Sequence, residues 1–270
     1  MNLTERKMVG VLKDLKENHH VVGVKAEFEA EGTRLEEALR LKEVLMKADL
    51  GLTLKIGGCE ALRDMYEARV IGVSRLVAPM IETPYALKKF LCAVNMAFPK
   101  DEQEEVEFAV NIETAVACRH FDEMLAMPES KCLNSIVIGR VDLTGSLGMS
   151  RDAINSNEVF IIVKDLAVKA KSRGLQVVIG GGVSADALPF FRRLPEGHLD
   201  RYETRKVIFS CPGGLGKNCE RGILKAVGFE LLWLKNKRDY YRGISLEDDM
   251  RIQMLEERYK NGIENAGLSL

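Results

Sequence analysis

The chain has no CxxC pair, no Pro- or Ser-rich linker, almost no net charge and no long apolar run. Lys and Arg number 39 against 40 Asp and Glu, so no global field exists to hold nucleic acid or an anionic membrane. No stretch approaches the roughly 20 apolar residues that span a bilayer, and the first twenty residues are charged throughout, without the apolar core of a signal peptide. The expectation is a cytoplasmic protein that engages neither nucleic acid nor membrane. Six cysteines (Cys59, Cys92, Cys118, Cys132, Cys211 and Cys219) are scattered singly, which in a reducing compartment predicts small buried thiols rather than a zinc site or disulfides. Without a linker, no domain boundary has a visible place to fall across 1–270.

What is present is alternation. Short β-rich runs (20–28, 52–57, 74–82, 107–113, 134–142, 175–183 and 205–211) are separated by stretches of helical periodicity at 33–48, 60–69, 84–97, 115–125, 157–172 and 185–193. Repeated βα units predict a parallel sheet, and at this length a single (β/α)8 TIM barrel. Seven strands are clear; the eighth falls either in the first 20 residues or near 195–204. The helix at 33–48 opens on Thr33, with Glu36 three residues later as a capping box. From about residue 222 the chain turns to helix beyond what a barrel needs, a C-terminal extension that packs either on a neighbouring subunit or on its own barrel. The expectation is a homo-oligomer.

Residues two apart on a strand share a face. Lys25, Glu27 and Glu29 thus lie opposite Val22, Val24, Ala26 and Phe28. Thr53 and Lys55 oppose the leucines of the second strand, Asn111 and Glu113 oppose Val110 and Ile112, Arg140 and Asp142 share one face, and the third strand ends in Glu82. So many ionisable groups make a poor core. They make sense at the C-terminal mouth of a barrel, where such enzymes place their chemistry, or as internal salt bridges.

VNIETAVACRHFDEMLA (110–126), LNSIVIGRVDLTGSLGM (133–149) and VAPMIETPYAL (77–87) resemble, in content and order, the HpcH/HpaI aldolase and citrate lyase beta-subunit family over roughly residues 21–183. The resemblance implies a Mg²⁺ or Mn²⁺ ion held by Glu113 and Asp142, with carboxylate oxygens suited to such ions and positions left open for substrate. It implies lyase or aldolase chemistry on a 2-oxo acid or a citryl- or malyl-CoA-like acyl-CoA, with Asn111, Gly139, Leu143 and Gly145 near the substrate. The Gly145–Gly148 turn would offer backbone amides to a substrate carboxylate. Relatives carry a basic residue on an early strand to steady the enolate oxygen, a place taken here by Lys55, a point charge without the arginine fork.

Other features depart from the pattern. The family's aldolase branch places a His shortly after an acidic residue on an early strand; EFEAEG has none. His120 falls on a helix. That leaves Glu29, or else Glu27, for proton transfer, with Glu82 as a neighbour to raise its pKa. GRVD puts Arg140 near the metal, either to bind a second substrate carboxylate or to pair with Glu113 or Glu82. The Gly180–Gly182 triplet and the CPGGLGKNC loop (211–219) with Lys217 are read as anion-holding loops at the same barrel end, or as plain rim loops. Two rival readings remain: Schiff-base chemistry on Lys55 or Lys25, and a barrel that has lost catalysis and serves as a sensor or scaffold.

Overall fold

The computed structural model describes residues 1–267 and divides the chain into two compact units, Met1–Glu230 and the remainder from Leu231. The first unit is a closed barrel of eight strands in sequential order. They are β1 (Val21–Glu27), β2 (Gly51–Lys55), β3 (Arg75–Ala78), β4 (Glu107–Asn111), β5 (Ser135–Gly139), β6 (Gln176–Gly180), β7 (Arg201–Glu203) and β8 (Val207–Ser210). The helices are α1 (Leu3–His19), α2 (Leu35–Lys47), α3 (Leu62–Ile71), α4 (Pro84–Ala97), α5 (Lys100–Gln103), α6 (Ala115–Ala126), α7 (Arg140–Ser146), α8 (Asn157–Ser172), α9 (Leu188–Arg192) and α10 (Cys219–Asn265). The α10 helix runs through 47 residues and supplies the whole of the second unit's helix. Among the described residues no helix is long and apolar enough to cross a membrane.

The seven legible strands are all present. The first 20 residues hold α1, opened by an Asn2–Glu5 capping box, and the eighth strand is the three-residue β7. Thr33 does not cap α2: the cap is Arg34, whose backbone N–H donates to Glu37 Oε2 at 3.2 Å. The cysteines are free, but only Cys219 is buried, Cys92 and Cys132 being exposed.

Closure departs from a simple (β/α) repeat. β1 to β7 are parallel neighbours, whereas β8 pairs antiparallel with both β7 and β1. A hairpin turn at 204–206 stands where a crossover helix would, so β8 runs back toward the N-terminal end of the barrel. The loop 211–219 therefore lies at the end opposite the strand C-termini: Ser210 N donates to His20 O at 2.9 Å, and Gly213 packs against the His20 ring just before β1. This corrects the placing of the CPGGLGKNC loop and Lys217 at the mouth. It also starts α10 at the N-terminal end, from where its twelfth residue, Glu230, reaches the mouth.

The barrel interior is layered. At the N-terminal end Glu107 pairs with Arg75 on β3 and with Arg201 across the barrel at 2.8 Å. Val77, Ala109, Val137 and Val178, on four consecutive strands, fill the middle. Above them the inward positions turn polar again, so the apolar plug forms the floor of a cavity at the C-terminal end.

Candidate functional site

Strand register delivers the charged side chains to that floor. Glu27 stands beside Lys55 across β1 and β2, and Asn111 beside Val137 across β4 and β5. A cavity of about 760 Å³ opens above them. Its walls carry eight carboxylates (Glu27, Glu29, Glu113, Asp142, Asp152, Asp186, Glu203 and Glu230) against four basic groups (Lys25, Lys55, Arg151 and Arg205). Such an acid excess in a concave, low-dielectric site attracts cations.

The acids fall into two groups. One is a chain of alternating charge around the mouth: Glu203 to Lys25 at 2.6 Å, Lys25 to Glu27 at 3.1 Å, Glu27 to Lys55 at 3.6 Å, Lys55 to Glu29 at 2.7 Å. Burial alone would push the Glu27 carboxyl up, but Lys25 and Lys55 outweigh it and hold it below the usual range. Burial would likewise lower the two lysines, yet Glu203 and Glu27 keep Lys25, and Glu29 and Glu27 keep Lys55, above the ordinary lysine value. Arg205, in the hairpin turn, reaches Glu31 at 3.3 Å and Glu27 at 3.9 Å.

Glu113 and Asp142 form the other group. Glu113 is buried and touches only neutral donors, Met80 N at 3.1 Å to Oε1 and Asn111 Nδ2 at 2.8 Å to Oε2. Burial, with Lys55 acting against it and Asp142 reinforcing it, pushes its pKa up to about 7. Asp142 is exposed to the cavity and makes no hydrogen bond or ion pair with the described chain. The two carboxylates thus sense each other electrostatically, and neither forms an ion pair with a lysine or arginine. Asn111 Oδ1, beside Glu113, is buried and also lacks a hydrogen-bond partner. Two carboxylates and an amide oxygen form a hard-oxygen donor set that fits Mg²⁺ or Mn²⁺ and not a thiophilic ion. Among the described residues no group of three or more His, Cys, Asp or Glu is placed to hold an ion.

Several candidate residues are placed otherwise than the sequence predicts. β5 ends at Gly139 and α7 begins at Arg140, so Arg140 and Asp142 sit on a helix turn and diverge. Arg140 is fully buried, and burial pushes its pKa down to about 10. It donates to Gly180 O (3.2 Å), Gly181 O (2.9 Å) and Asn155 Oδ1 (2.6 Å), lying 5.0 Å from the ring centroids of Phe190 and Phe191. It pairs with neither Glu113 nor Glu82 and does not line the cavity, so neither expected role holds. Glu82 also lies off the cavity wall and accepts from Thr114 Oγ1 at 2.8 Å; the group facing Glu29 is Lys55, a cation instead of a second carboxylate. Leu143 is buried in the core, which removes it from substrate contact, and Gly145 lies inside α7 with its wall in a neighbouring compartment. Gly139 does line the cavity, and the Glu113 carboxylate occupies the space its Cβ would fill. His120 is a half-buried helix residue beside Glu123.

Sequence reading missed Glu203, Arg205 and Arg151. β7 is too short to show a period, so nothing marked Glu203 as an inward residue, and Arg151 sits in an irregular stretch with no motif.

No family model matches the chain, and no curated protein matches it. Solved structures do. The chain is similar to an HpcH/HpaI aldolase from Desulfitobacterium hafniense DCB-2, with a TM-score of 0.58 and 13% identity over 73% of this chain and 81% of that one. It is similar to an HpcH/HpaI aldolase/citrate lyase family protein from Burkholderia cenocepacia J2315, with a TM-score of 0.61 and 17% identity over 84% and 92%. The citrate synthase SbnG gives a TM-score of 0.57 and 15% identity over 86% and 90%. At these identities the likeness is one of fold, and it is the fold of the family that the motifs resemble.

Proposed function

We propose that this chain is a carbon–carbon lyase or aldolase that acts on a 2-oxo acid with Mg²⁺ or Mn²⁺ held by Glu113 and Asp142. The observation that carries the reading is the contrast between the carboxylates. The lysines pair with Glu27, Glu29 and Glu203, whereas Glu113 and Asp142 form no ion pair with the described chain, Lys55 acting on Glu113 only from a distance. An uncompensated buried carboxylate is costly unless a cation completes it.

When bound, the ion supplies Lewis acidity to the carboxylate and keto oxygens of the substrate. Asn111 orients the Glu113 carboxylate through its amide, and Gly139 admits that carboxylate by having no side chain. Lys55, near Glu113 and charged, opposes negative charge developing on the keto oxygen. Glu29, joined to Lys55 and partly open to the cavity, is the side chain available to move a proton at the substrate carbon.

Two alternatives lose support. Schiff-base formation needs a neutral amine, and Lys25 and Lys55 are both held charged by neighbouring carboxylates, Glu203 and Glu27 for the first and Glu29 and Glu27 for the second. The acyl-CoA reading, which came from the resemblance, loses the 211–219 loop as a holder of an anionic tail, because that loop lies at the other end of the barrel. The test is exchange of pyruvate methyl hydrogens in D₂O, followed by proton NMR. Exchange should require Mg²⁺, stop with EDTA and fall by about 100-fold or more in Glu113→Gln, while borohydride with pyruvate should leave the protein mass unchanged. Exchange indifferent to EDTA, or a borohydride adduct, would overturn the proposal.

A further inference from the structure

From 242 to 262 every residue of α10 is exposed, so nothing among the described residues covers any side of this stretch of helix. At about 100° of turn per residue, Tyr240, Ile244, Ile252, Leu255 and Tyr259 nonetheless share an arc of about 120°. They are 46–60% exposed. An apolar stripe of that width is what a helix presents to a partner, and helices draw most of their stability from such packing rather than from propensity.

The charges along the same helix are sorted by position. Residues 235–242 hold four bases and one acid, and residues 247–257 hold five acids and one base. The sorting distinguishes between ways of covering the stripe. In a parallel pair of copies each block meets its own duplicate, bases against bases and acids against acids. In an antiparallel pair the basic block of one copy runs along the acidic block of the other, and the two-fold axis passes near Ser245. Asp248 and Arg251, which lie inside the stripe, then come level with Arg242 and Asp239 of the second copy. Flanking charges of this kind set the orientation of paired helices. Within one copy Arg238 pairs with its exposed neighbour Asp239 at 3.0 Å, a contact worth little in water.

We propose that residues 231–265 form an antiparallel two-helix coil with the same segment of a second copy of this chain. The apolar stripes pack together and the basic and acidic blocks cross. The pairing belongs to the extension alone and does not draw on the lyase reading.

The test is cross-linking of the full chain with a short bismaleimide, the exposed Cys92 and Cys132 being changed to Ser. Ser245→Cys sets two thiols beside the axis and should give a covalent dimer. Gly262→Cys, on the stripe but far from the axis, sets them about 50 Å apart at 1.5 Å of rise per residue and should give none. Adding Ile252→Glu and Leu255→Glu to the Ser245→Cys chain should cut the dimer yield by about tenfold or more, because two charges enter the seam. Circular dichroism and a thermal melt confirm that these chains remain folded. A dimer from Gly262→Cys would show parallel pairing. No dimer from Ser245→Cys, or one that survives the two glutamates, would show another occupant or none. Each of these three results would overturn the proposal.

Discussion

The carboxylate of Glu113 occupies the space in which a Cβ at Gly139 would stand, with the Glu113 Cβ itself only 3.0 Å from that point. One residue's missing side chain thus sets the position of the carboxylate at the centre of the site. Gly139→Ala should displace Glu113 and destabilise the fold by about 1–3 kcal/mol. Loss of high-affinity Mn²⁺ binding, read by calorimetry beside a thermal melt, checks it. A variant that binds Mn²⁺ like wild type would show that the contact is relieved without moving the carboxylate.

Glu113 also imposes a pH dependence. Its pKa in the folded, metal-free chain is about 7, against 4.5 as its ordinary value. A carboxyl whose folded pKa is raised contributes stability that is full below 4.5 and is lost as pH rises through 7. The loss is on the order of 3 kcal/mol. Metal-free protein should therefore lose stability between pH 5 and 8, Mn²⁺ should restore more of it at pH 8 than at pH 5.5, and Glu113→Gln should flatten the slope. Glu27 acts in the opposite sense. Its lowered pKa contributes stability above 4.5 that is lost as pH falls through its folded value, so denaturant melts of wild type and Glu113→Gln isolate the Glu113 part.

Lys25 joins two buried carboxylates, Glu203 at 2.6 Å and Glu27 at 3.1 Å. Lys25→Met removes their common cation and should cost about 3–5 kcal/mol, the usual price of stranding a buried charge. Adding Glu203→Gln should recover part of that loss. Purely additive single and double variants in denaturant unfolding would contradict a coupled chain.

Arg140→Ala should act on stability. It strands the carbonyls of Gly180 and Gly181 and empties the space between Phe190 and Phe191, at a cost of about 2–4 kcal/mol. A thermal melt checks this, and an unchanged midpoint would contradict the structural role.

Much of this architecture was legible because period-2 alternation reports a strand's two faces. Lys25, Glu27, Lys55 and Asn111 point into the mouth as the alternation implied. The limits came where alternation stops. β5 ends at Gly139, one residue before Arg140, so extending its parity to Arg140 and Asp142 joined two side chains that a helix separates. β7 has three residues, too few to show any period. Direction is invisible to alternation as well: β8 reads as a strand either way, and only its pairing shows that it returns to the N-terminal end and takes the 211–219 loop with it.

The proposed chemistry depends on Glu113 and Asp142 holding a divalent ion together. Calorimetric titration of the full chain with Mn²⁺ at pH 8, for wild type, Glu113→Gln and Asp142→Asn, tests it most directly. One ion per chain in wild type, with affinity lowered at least tenfold in each variant, is the predicted result. Absence of binding in wild type, or binding that neither substitution weakens, would contradict it.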